Sequence, residues 1–410
     1  MKKLLLIEGN GVAGEDLIDA AREHGAEVHV ATHQDLYEKY RPELIAKTAG
    51  VVLTDFSAPE AAVAQLAGYC ADTGISGVIC GWEFLSPVAT KLAAAAGLPG
   101  NDPARADACR NKRLMSLAFE EYGVPAPATL VVDSLDSALD RIAERGFAFP
   151  LVVKPAENAG SVGVTVVEAA DGLAAAFRLA TSQPMEIPHR IALETTVVIQ
   201  EYVEGREFSV ETIVFEGKFH HLAVTEKFTT TGATRAEIGH TTPADLDPAD
   251  RDALVGAAEQ ALVALGFHNG VAHAEIKLTP GGRAKVIEVG ARPPGDHILK
   301  LVRHATGVSE ARAYVQVALG EEPTVDGDRS AAAAIRFLAP DRAGTVRRIG
   351  PVPDSPAVLA STWYVGVGDQ VDHALDNATR LGFVMLTAAT AAEVNALADE
   401  IVHAVQVEIG

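Results

Sequence analysis

Short apolar runs alternate with amphipathic, alanine-rich stretches at the start of the chain. The apolar runs lie at 4–7, 28–30, 51–54 and 78–80, with helix-like stretches near 15–24 and 60–72. Short buried runs that alternate with helices are typical of a parallel sheet covered on both faces. Proline and glycine punctuate residues 99–103, so the pattern predicts an N-terminal parallel α/β domain that ends there.

The pattern changes in the middle of the chain, where strand-like runs follow one another with few helices between them. These runs lie at 197–203, 207–215, 218–224, 271–278 and 284–289. Runs joined by turns or loops predict an antiparallel sheet, accompanied here by helices near 248–265 and 307–319. A last segment begins with a strand at 331–337 and ends with a helix near 391–404. We therefore expect a multidomain chain that combines α/β and α+β parts.

The composition is that of a globular chain with sizeable cores. Of the 410 residues, 48% are hydrophobic and 22% are charged, which argues against disorder. The net charge is −21, from 34 Lys and Arg against 55 Asp and Glu. Such a chain repels a phosphate backbone, so we expect no nucleic-acid partner. A small anionic ligand would need a local cluster of Lys, Arg, backbone N–H groups or divalent metal.

The cysteines and the first residues indicate a cytoplasmic protein. Cys70, Cys80 and Cys109 are an odd number without a Cys-x-x-Cys pair, so neither a disulfide framework nor a zinc site is expected. The apolar run at 4–7 is too short for a signal-peptide core. No run approaches the roughly 18 apolar residues of a membrane span, so we expect no membrane partner.

A G-x-G-x-x-G pattern at residues 9–14 follows the first apolar run and precedes the first helix. In an NAD-dependent oxidoreductase this fingerprint is accompanied by an acidic residue at the end of the second strand. Thr32 and His33 stand there instead, and Asp35 comes later. A tight strand-to-helix turn that uses glycine for its backbone freedom is the preferred explanation, and the oxidoreductase is the weaker alternative.

Candidate chemistry begins at Lys154, which ends an apolar strand and precedes a proline. Its ammonium is expected to project from the strand end into a cleft. A loop of small residues follows, with Gly160, Ser161 and Gly163, and its backbone N–H groups could lie across a polyphosphate. Taken singly, the two features also fit a solvated lysine and a flexible hairpin.

Two further segments could contact a nucleotide. Lys112 belongs to a basic cluster near a helix start, where the helix dipole favours acidic residues, so it indicates an anionic ligand or else a solvated surface cluster. A strand–turn–strand segment carries Glu201, Val203 and Glu207 near its turn. Backbone groups there can pair with an adenine edge, and Glu207 can accept from ribose hydroxyls. A charged hairpin is the plain alternative.

The most specific local signal is the pair Glu275 and Glu288, which lie on two predicted strands joined by a turn at 280–282. Two carboxylates that face each other across a sheet repel unless a cation lies between them. Mg²⁺ prefers a few carboxylates together with phosphate oxygens. Arg292 follows, before a rigid Pro-Pro-Gly turn, and can contact an oxyanion. The alternative is a pair of solvated strand glutamates.

In the order of these motifs the chain resembles the ATP-grasp superfamily over essentially its whole length. The resemblance implies a pre-ATP-grasp α/β domain at 1–105 and a two-subdomain ATP-grasp fold. The small subdomain would cover 106–185 and the large one 186–325, followed by a C-terminal lid-like α+β subdomain at 326–410. Dimers are common in the superfamily, so the resemblance is also compatible with a homodimer.

The resemblance implies a set of ligand contacts as well. The expected ATP contacts are Lys112, Lys154, Gly160, Ser161, Gly163, Glu201, Val203 and Glu207. Glu275 and Glu288 would hold two Mg²⁺ ions, with Mn²⁺ as an alternative metal. Many ATP-grasp enzymes have Asn two residues after the second metal glutamate, where this chain has Gly290.

Within the superfamily the chain is similar to the L-amino acid ligases, which condense unprotected amino acids into dipeptides. Residues 237–244 match their Glu-x-Gly-His-x-x-Pro-Ala loop, and dipeptide ligases also tend to have a small residue at the position of Gly290. Glu83 falls at their substrate-side glutamate. Glu237, His240 and Arg292 are the other substrate contacts that the resemblance implies.

The implied reaction is ATP-dependent amide formation between a carboxylate and an amine, with amino acids as the expected substrates. The carboxylate attacks the γ-phosphate to give an acyl phosphate, and the amine then displaces phosphate, so ADP and phosphate are released. Arg292, Lys154 and His240 are the expected catalytic residues, acting by positioning and charge neutralisation. Another ATP-grasp ligase or carboxylase with a different acid or acceptor is the nearest alternative, and a non-catalytic nucleotide-binding module is a further one.

Overall fold

A parallel sheet forms the N-terminal part of the computed structural model, which describes residues 1–410. Its elements are β1 (Lys3–Ile7), α1 (Gly14–Glu23), β2 (Glu27–Thr32), α2 (Gln34–Tyr37), α3 (Pro42–Ile45), β3 (Gly50–Leu53), α4 (Pro59–Thr73), β4 (Gly77–Cys80) and α5 (Ser86–Ala95). The strand order is β3-β2-β1-β4, and all pairs are parallel. The predicted N-terminal parallel α/β arrangement is confirmed.

A four-stranded antiparallel sheet follows. The elements of this stretch are α6 (Lys112–Tyr122), β5 (Thr129–Val132), α7 (Leu135–Arg145), β6 (Leu151–Pro155), β7 (Thr165–Val167), α8 (Leu173–Ala180), β8 (Met185–Glu186), β9 (Ile191–Ala192) and β10 (Val197–Glu201). The strand order is β5-β10-β6-β7, and helices α7 and α8 pack on the buried face through residues such as Ile142 and Leu173. Since β10 lies between β5 and β6, this sheet extends past the subdomain boundary predicted after residue 185.

The rest of the chain builds an eight-stranded antiparallel sheet. Its elements begin with β11 (Arg206–Phe215), β12 (Lys218–Thr229), β13 (Glu237–Thr242), α9 (Pro248–Ala264), β14 (Gly270–Leu278), β15 (Ala284–Gly290), α10 (Ile298–Thr306) and α11 (Glu310–Ala318). They continue with β16 (Ala332–Leu338), β17 (Gly344–Ile349), β18 (Val358–Trp363), β19 (Gln370–Val371), β20 (Gly382–Ala388), α12 (Ala391–Ala404) and β21 (Val407–Ile409). The order in the sheet is β15-β14-β11-β12-β13-β16-β20-β18, and β19-β17-β21 form a separate small sheet.

This continuous sheet crosses the boundary predicted after residue 325, because β16 of the last segment pairs directly with β13. The division of the chain into four parts therefore stays a prediction. The structure also differs locally from the sequence-based expectations. Residues 237–242 form a strand where a loop was expected. Helix α10 was not predicted, because a Pro-Pro-Gly turn lies just before it and was interpreted as part of a loop.

Helices join the N-terminal sheet to the large sheet. One face of the parallel sheet is covered by α4 and α5, whereas the other is covered by α1 and by α11 from much later in the chain. The apolar residues of α11, including Val315 and Leu319 just after it, pack against Leu4, Leu6 and Ile79. None of the helices combines the length and apolar character needed to cross a bilayer. The carboxyl end of β4 is thereby held beside the large sheet, where the candidate site lies.

Candidate active site

A cavity of about 380 Å³ lies between the four-stranded and eight-stranded sheets. Its walls come from β6 and the glycine-rich loop after it, from the β10–β11 connection, and from the inner face of β12 to β15. One end is closed by Glu83 after β4, by the turn around Arg292 and by a segment near Asn377. The cavity therefore brings together residues that are far apart in the sequence.

Two carboxylates face each other on the floor of the cavity. Strands β14 and β15 pair so that Glu275 is directly opposite Glu288. Lys227 Nζ lies 2.5 Å from Glu275 Oε1, and Lys112 Nζ lies 2.8 Å from Glu288 Oε1. Burial would raise the pKa of Glu275, but Lys227 and His273 hold that pKa well below its usual range. The site thus presents an ionised carboxylate with a second one beside it, a donor set that fits Mg²⁺.

A histidine behind the floor holds one of these carboxylates in place. His273 Nε2 lies 3.2 Å from Glu275 Oε1, and His273 Nδ1 lies 2.9 Å from Glu211 Oε2. Burial alone would lower the pKa of His273, but Glu211 and Glu275 raise it to about 9. A protonated ring can donate to both carboxylates, so it fixes the orientation of Glu275.

Two lysines approach the carboxylates from the side of the four-stranded sheet. Lys112 is the first residue of α6, a helix capped by Asn111, whose side chain accepts from the N–H groups of Arg113 and Leu114. Lys112 also donates to the Asn158 carbonyl at 2.8 Å. Lys154, on β6, is 3% exposed, and burial lowers its pKa to about 8 despite the attraction of Glu288. A buried ammonium without a bonded partner is costly unless an anion reaches it.

The loop after Lys154 lies along the same wall. Gly160 and Gly163 adopt left-handed backbone angles, with φ of +64° and +77°, and Ser161 between them has φ of +63°. A non-glycine residue is uncommon in this region, and such strain concentrates at binding sites. Backbone N–H groups of a loop in this conformation can form an anion-binding concavity.

The connection between β10 and β11 borders the opposite end of the cavity. Glu201 ends β10, Val203 is buried, and Glu207 lies on β11. The carboxylate of Glu207 is 3.7 Å from Lys227 Nζ and 3.8 Å from Lys277 Nζ. Burial raises the pKa of Glu207 in spite of these lysines. The connection offers an edge of backbone groups and one carboxyl group to a ligand in the cavity.

At the other end of the cavity, Glu83 meets Arg292. Glu83 begins a short 3₁₀ turn after β4, and its carboxylate accepts from Arg292 Nε. Burial would raise the pKa of Glu83, but Arg292 lowers it, so the pair is ionised. Arg292 Nη1 is held by the Pro293 carbonyl at 3.0 Å. One guanidinium nitrogen, Nη2, stays free to meet an anion in the cavity.

A second charged group surrounds Asp296 at this end. Its carboxylate lies 3.0 Å from His240 Nε2 and accepts from both terminal nitrogens of Arg380, at 2.7 and 2.8 Å. Glu237 lies near them, with its carboxylate 2.5 Å from Lys227 Nζ. Carboxylate and imidazole atoms of Glu237, His240 and Asp296 lie within 4.8 Å of one another, a spacing that could suit a metal ion. Because Arg380 occupies both Asp296 oxygens, we interpret the group as an ion-pair network.

The residues predicted from the sequence to contact ATP, metal or substrate all line this cavity except Gly163, which flanks it in the glycine-rich loop. Sequence reasoning missed several others that the structure places there. These are His273, Lys277, Asp296, Asn377 and Arg380, and the buried Lys227 contacts Glu275 from behind them. Lys277 lies two residues after Glu275 on the face of β14 that lines the cavity. Strand alternation places both side chains on one face, so it could have indicated Lys277 as a site residue. The remainder depend on pairing between distant segments.

The glycine pattern at 9–14 has a packing explanation. A Cβ at Gly14 would lie 2.0 Å from the Gly9 carbonyl oxygen, so this close turn between β1 and α1 requires glycine. At the end of β2, the Thr32 hydroxyl donates to the Glu8 carboxylate. Val12, at the tip of the turn, also lines the cavity.

A second buried charge cluster, the Glu8 cluster, lies beside this turn. Glu8 accepts from Tyr40, from Thr32, from the backbone N–H of Asn10 and from His189 Nε2. Glu186 accepts from His189 Nδ1, from the backbone N–H of His189, and from Trp82 Nε1. Every carboxylate oxygen of this cluster therefore has a partner within the protein.

Two protein-family models match the chain. An ATP-grasp domain matches residues 147–300, and L-amino acid ligase C-terminal domain 2 matches residues 336–410. The first match covers the glycine-rich loop, both floor carboxylates and Arg292. The second covers most of the last segment, including Asn377 and Arg380.

Known proteins with similar sequences include a ligase and a synthase. Alanine–anticapsin ligase of Bacillus subtilis is 28% identical over 248 residues, which cover 57% of this chain and 52% of that protein. Human carnosine synthase 1 is 26% identical over 336 residues, covering 79% of this chain and 40% of that protein. The matched part of this chain thus spans about half the length of these relatives.

A solved structure has the same fold. The crystal structure of an L-amino acid ligase from Bacillus licheniformis superposes with a TM-score of 0.84, at 24% sequence identity, over 100% of this chain and 99% of that one. The arrangement of sheets around the cavity is therefore an established architecture.

Proposed function

We propose that the chain is an ATP-dependent ligase that joins the carboxylate of one amino acid to the amine of another. The premise is that residues 147–300 match an ATP-grasp domain and residues 336–410 match a domain of L-amino acid ligases. The observation that carries the proposal is the paired floor carboxylates, Glu275 and Glu288, with Lys112 and Lys154 on one side and Arg292 on the other. One of the named relatives is an alanine–anticapsin ligase and the other a carnosine synthase, and the last segment matches a domain of L-amino acid ligases.

The residues at the floor fit magnesium. Glu275 and Glu288 would hold the ions. The bound metal would screen the negative charge of the phosphates, of the attacking carboxylate oxygen and of the leaving ADP oxygen. We propose two Mg²⁺ ions, with Mn²⁺ able to replace them. Lys154 is buried without a bonded partner, which is the arrangement expected of a group that completes its contacts on a phosphate.

The chain's own residues would position the nucleotide. Lys112, Lys154 and the loop with Gly160, Ser161 and Gly163 would contact the phosphates, since they line one wall beside the carboxylates. Glu201 and Val203 would present backbone groups to the adenine, and Glu207 would accept from the ribose. In this arrangement the γ-phosphate would be nearest to the end of the cavity that holds Arg292.

Amide formation would follow in two steps at that end. A carboxylate oxygen of the acid substrate attacks the γ-phosphorus, and the bond between the γ-phosphorus and the bridging β-phosphate oxygen breaks. The products of this step are an acyl phosphate and ADP. The free amine then attacks the acyl carbon, phosphate departs, and the amine loses a proton. Arg292 would neutralise the acyl oxygens, Glu83 would hold an amino group, and His240 with Glu237 would orient the amine.

The proposal extends to the setting of the enzyme. The substrates would be small molecules, with neither nucleic acid nor membrane as a partner, because the net charge of −21 repels both nucleic acid and anionic lipid surfaces. We propose a cytoplasmic enzyme, consistent with three buried free cysteines. A homodimer is part of the proposal by analogy with the superfamily.

One experiment tests the activity directly. Phosphate and ADP release from ATP and Mg²⁺ is measured against a panel of paired amino acids, with bicarbonate as an additional acid. We expect at least one acid–amine pair to stimulate ADP formation and Glu288→Gln to abolish it. Release of AMP and pyrophosphate would refute the acyl-phosphate route, stimulation by bicarbonate alone would favour a carboxylase, and normal turnover of the Glu288 variant would refute the metal assignment.

A further inference from the structure

A short segment near the end of the chain touches three separate parts of the cavity wall. The segment is residues 374–380, called the clasp segment here, and it lies between β19 and β20. It contains the 3₁₀ turn Asn377–Thr379, in which the Asp376 side chain accepts from the Ala378 N–H. It thus approaches the cavity as a defined turn rather than as an extended loop.

Asn377 makes the central contacts. Its backbone N–H donates to the Gly160 carbonyl of the glycine-rich loop at 3.2 Å. Its side-chain oxygen accepts from the Glu237 N–H at 2.9 Å, and its Nδ2 donates to Glu237 Oε2 at 2.7 Å. A single residue therefore bonds both the wall next to the proposed phosphate site and the strand that carries His240.

Arg380 anchors the other end of the clasp segment. Its two terminal nitrogens bind both oxygens of Asp296, and its Nε donates to the Asn377 carbonyl at 2.8 Å. The guanidinium lies over the Phe337 ring, 3.7 Å from the ring centre. Burial would lower the pKa of Arg380, but Asp296 raises it, so the pair is ionised. A bidentate pair that is stacked on an aromatic ring has a fixed geometry.

The three contacts surround the position where an activated acid would lie. The glycine-rich loop is on one side, and Glu237, His240 and Asp296 are on the other. An acyl phosphate there has two fates. The amine nitrogen can attack the acyl carbon and give the amide and phosphate, or a water oxygen can attack it and give the free acid and phosphate. Positioning of the amine and exclusion of water both favour the first.

We propose that Asn377 and Arg380 are positioning residues that hold the cavity closed across the glycine-rich loop, Glu237 and Asp296, and so protect the acyl phosphate from water until the amine attacks. This inference rests on the proposed ligase function. It assigns to the last segment a direct part in coupling ATP use to amide formation. The substrate-touching groups remain Arg292, His240 and the lysines, and the clasp segment acts through their neighbours.

The test measures the ratio of ADP released to amide formed, with the most active acid–amine pair of the panel. Asn377→Ala should raise this ratio roughly threefold or more, because water then reaches the intermediate. Arg380→Lys should raise it as well, since a lysine cannot bind Asp296 through two nitrogens. Gln370→Ala is the matched control, because Gln370 is exposed and bonds only Thr345 in the same part of the chain. The control should keep the wild-type ratio.

Two outcomes separate this inference from the proposed function. If the wild-type protein forms no amide with any pair, the proposed function fails and the inference fails with it. If amide forms, and both variants fold with the wild-type melting temperature and keep the wild-type ratio, only the inference is overturned. An equal loss of ADP and amide in both variants would also overturn it, because a purely structural role leaves the ratio unchanged. Should Asn377→Ala fail to fold, the Arg380→Lys ratio decides.

Discussion

The cavity and the Glu8 cluster both bury charged groups, but they differ in how those groups are satisfied. In the Glu8 cluster, both oxygens of Glu8 and of Glu186 accept hydrogen bonds from protein donors. In the cavity, Lys154 has no bonded partner, and Glu275 and Glu288 keep about a quarter of their side chains exposed, at 23% each. A complete network supports the fold, whereas an incomplete one can bind a ligand.

The difference between the Glu8 cluster and the cavity has a simple physical basis. A buried charge without a partner costs free energy, so folding alone would favour its replacement. The cavity keeps Lys154 without a partner beside two partly exposed carboxylates, and an anionic ligand with its metal would complete their contacts. Variants of the Glu8 cluster should therefore lower the stability of the fold, whereas variants of the cavity should lower the activity.

The largest expected effect on stability is that of His189→Leu. The change removes the donor shared by two buried carboxylates, so we expect the free energy of unfolding to fall by about 3–5 kcal/mol. Urea unfolding measures it. His24→Leu is the control, because its partner Glu321 is one third exposed and the expected change is below about 1 kcal/mol. Equal losses in the two variants would remove the distinction between a complete buried network and a surface pair.

Lys154→Met should show the opposite behaviour. We expect kcat/KM for ATP to fall about 100- to 1000-fold, as when one donor to a developing charge is removed. The free energy of unfolding should stay level or rise, because a desolvated ammonium is replaced by an apolar side chain of similar length. Lys91→Met, which removes an exposed ammonium paired with Asp107, should leave both quantities near the wild-type values. A marked loss of stability in Lys154→Met would show that the lysine supports the fold.

Glu310 is a buried acidic residue that is also unsatisfied but lies away from the cavity. Both of its carboxyl oxygens are buried without a partner. Burial, together with the nearby Glu211, raises its pKa well above the usual range, which favours the neutral form. We expect Glu310→Leu to raise the free energy of unfolding by about 1–3 kcal/mol, measured in urea, with little change in activity. A large loss of activity would instead place Glu310 in the support of His273 and Glu275.

The smallest expected effect is a pH dependence that belongs to the Glu8 cluster. Burial would lower the pKa of His189, but Glu186 and Glu8 raise it above the ordinary value of 6.5. The stability from this group is therefore complete below pH 6.5 and is lost as the pH rises through the raised folded-state pKa. Unfolding measured from pH 6 to 9 should show a decline for the wild type that is weaker in His189→Leu. Parallel curves would exclude a protonated His189.

The sequence predicted those features whose partners are close along the chain. Glu275 and Glu288 lie on adjacent strands of one hairpin, so strand alternation was sufficient to bring them face to face. Lys154 and its glycine-rich loop are likewise contiguous. The order of these motifs also carried the resemblance to the ATP-grasp superfamily, which the matching domain models confirm.

The features that the sequence did not predict depend on distant pairing. Lys227 reaches Glu275 only because β11 lies between β12 and β14 in the sheet. Arg380 meets Asp296 across 84 residues, and Asn377 meets Glu237 across 140. The strand at 237–242 contains Gly, His and Thr, and it becomes a strand because β12 and β16 flank it on both sides. Such contacts are properties of the topology rather than of any local pattern.

The continuous eight-stranded sheet has a consequence for how the chain can be divided. The strand that carries Glu237 and His240 has β16 as its neighbour, and β16 comes from the last segment. A fragment that ended before residue 331 would leave that strand as an open edge with four of its six residues buried in the intact sheet, at 239–242. An open edge presents unpaired backbone N–H and C=O groups, which recruit strands from other molecules and lead to aggregation. The last segment therefore covers an edge of the sheet that would otherwise be open. We expect a fragment that contains the ATP-grasp region without this segment to aggregate.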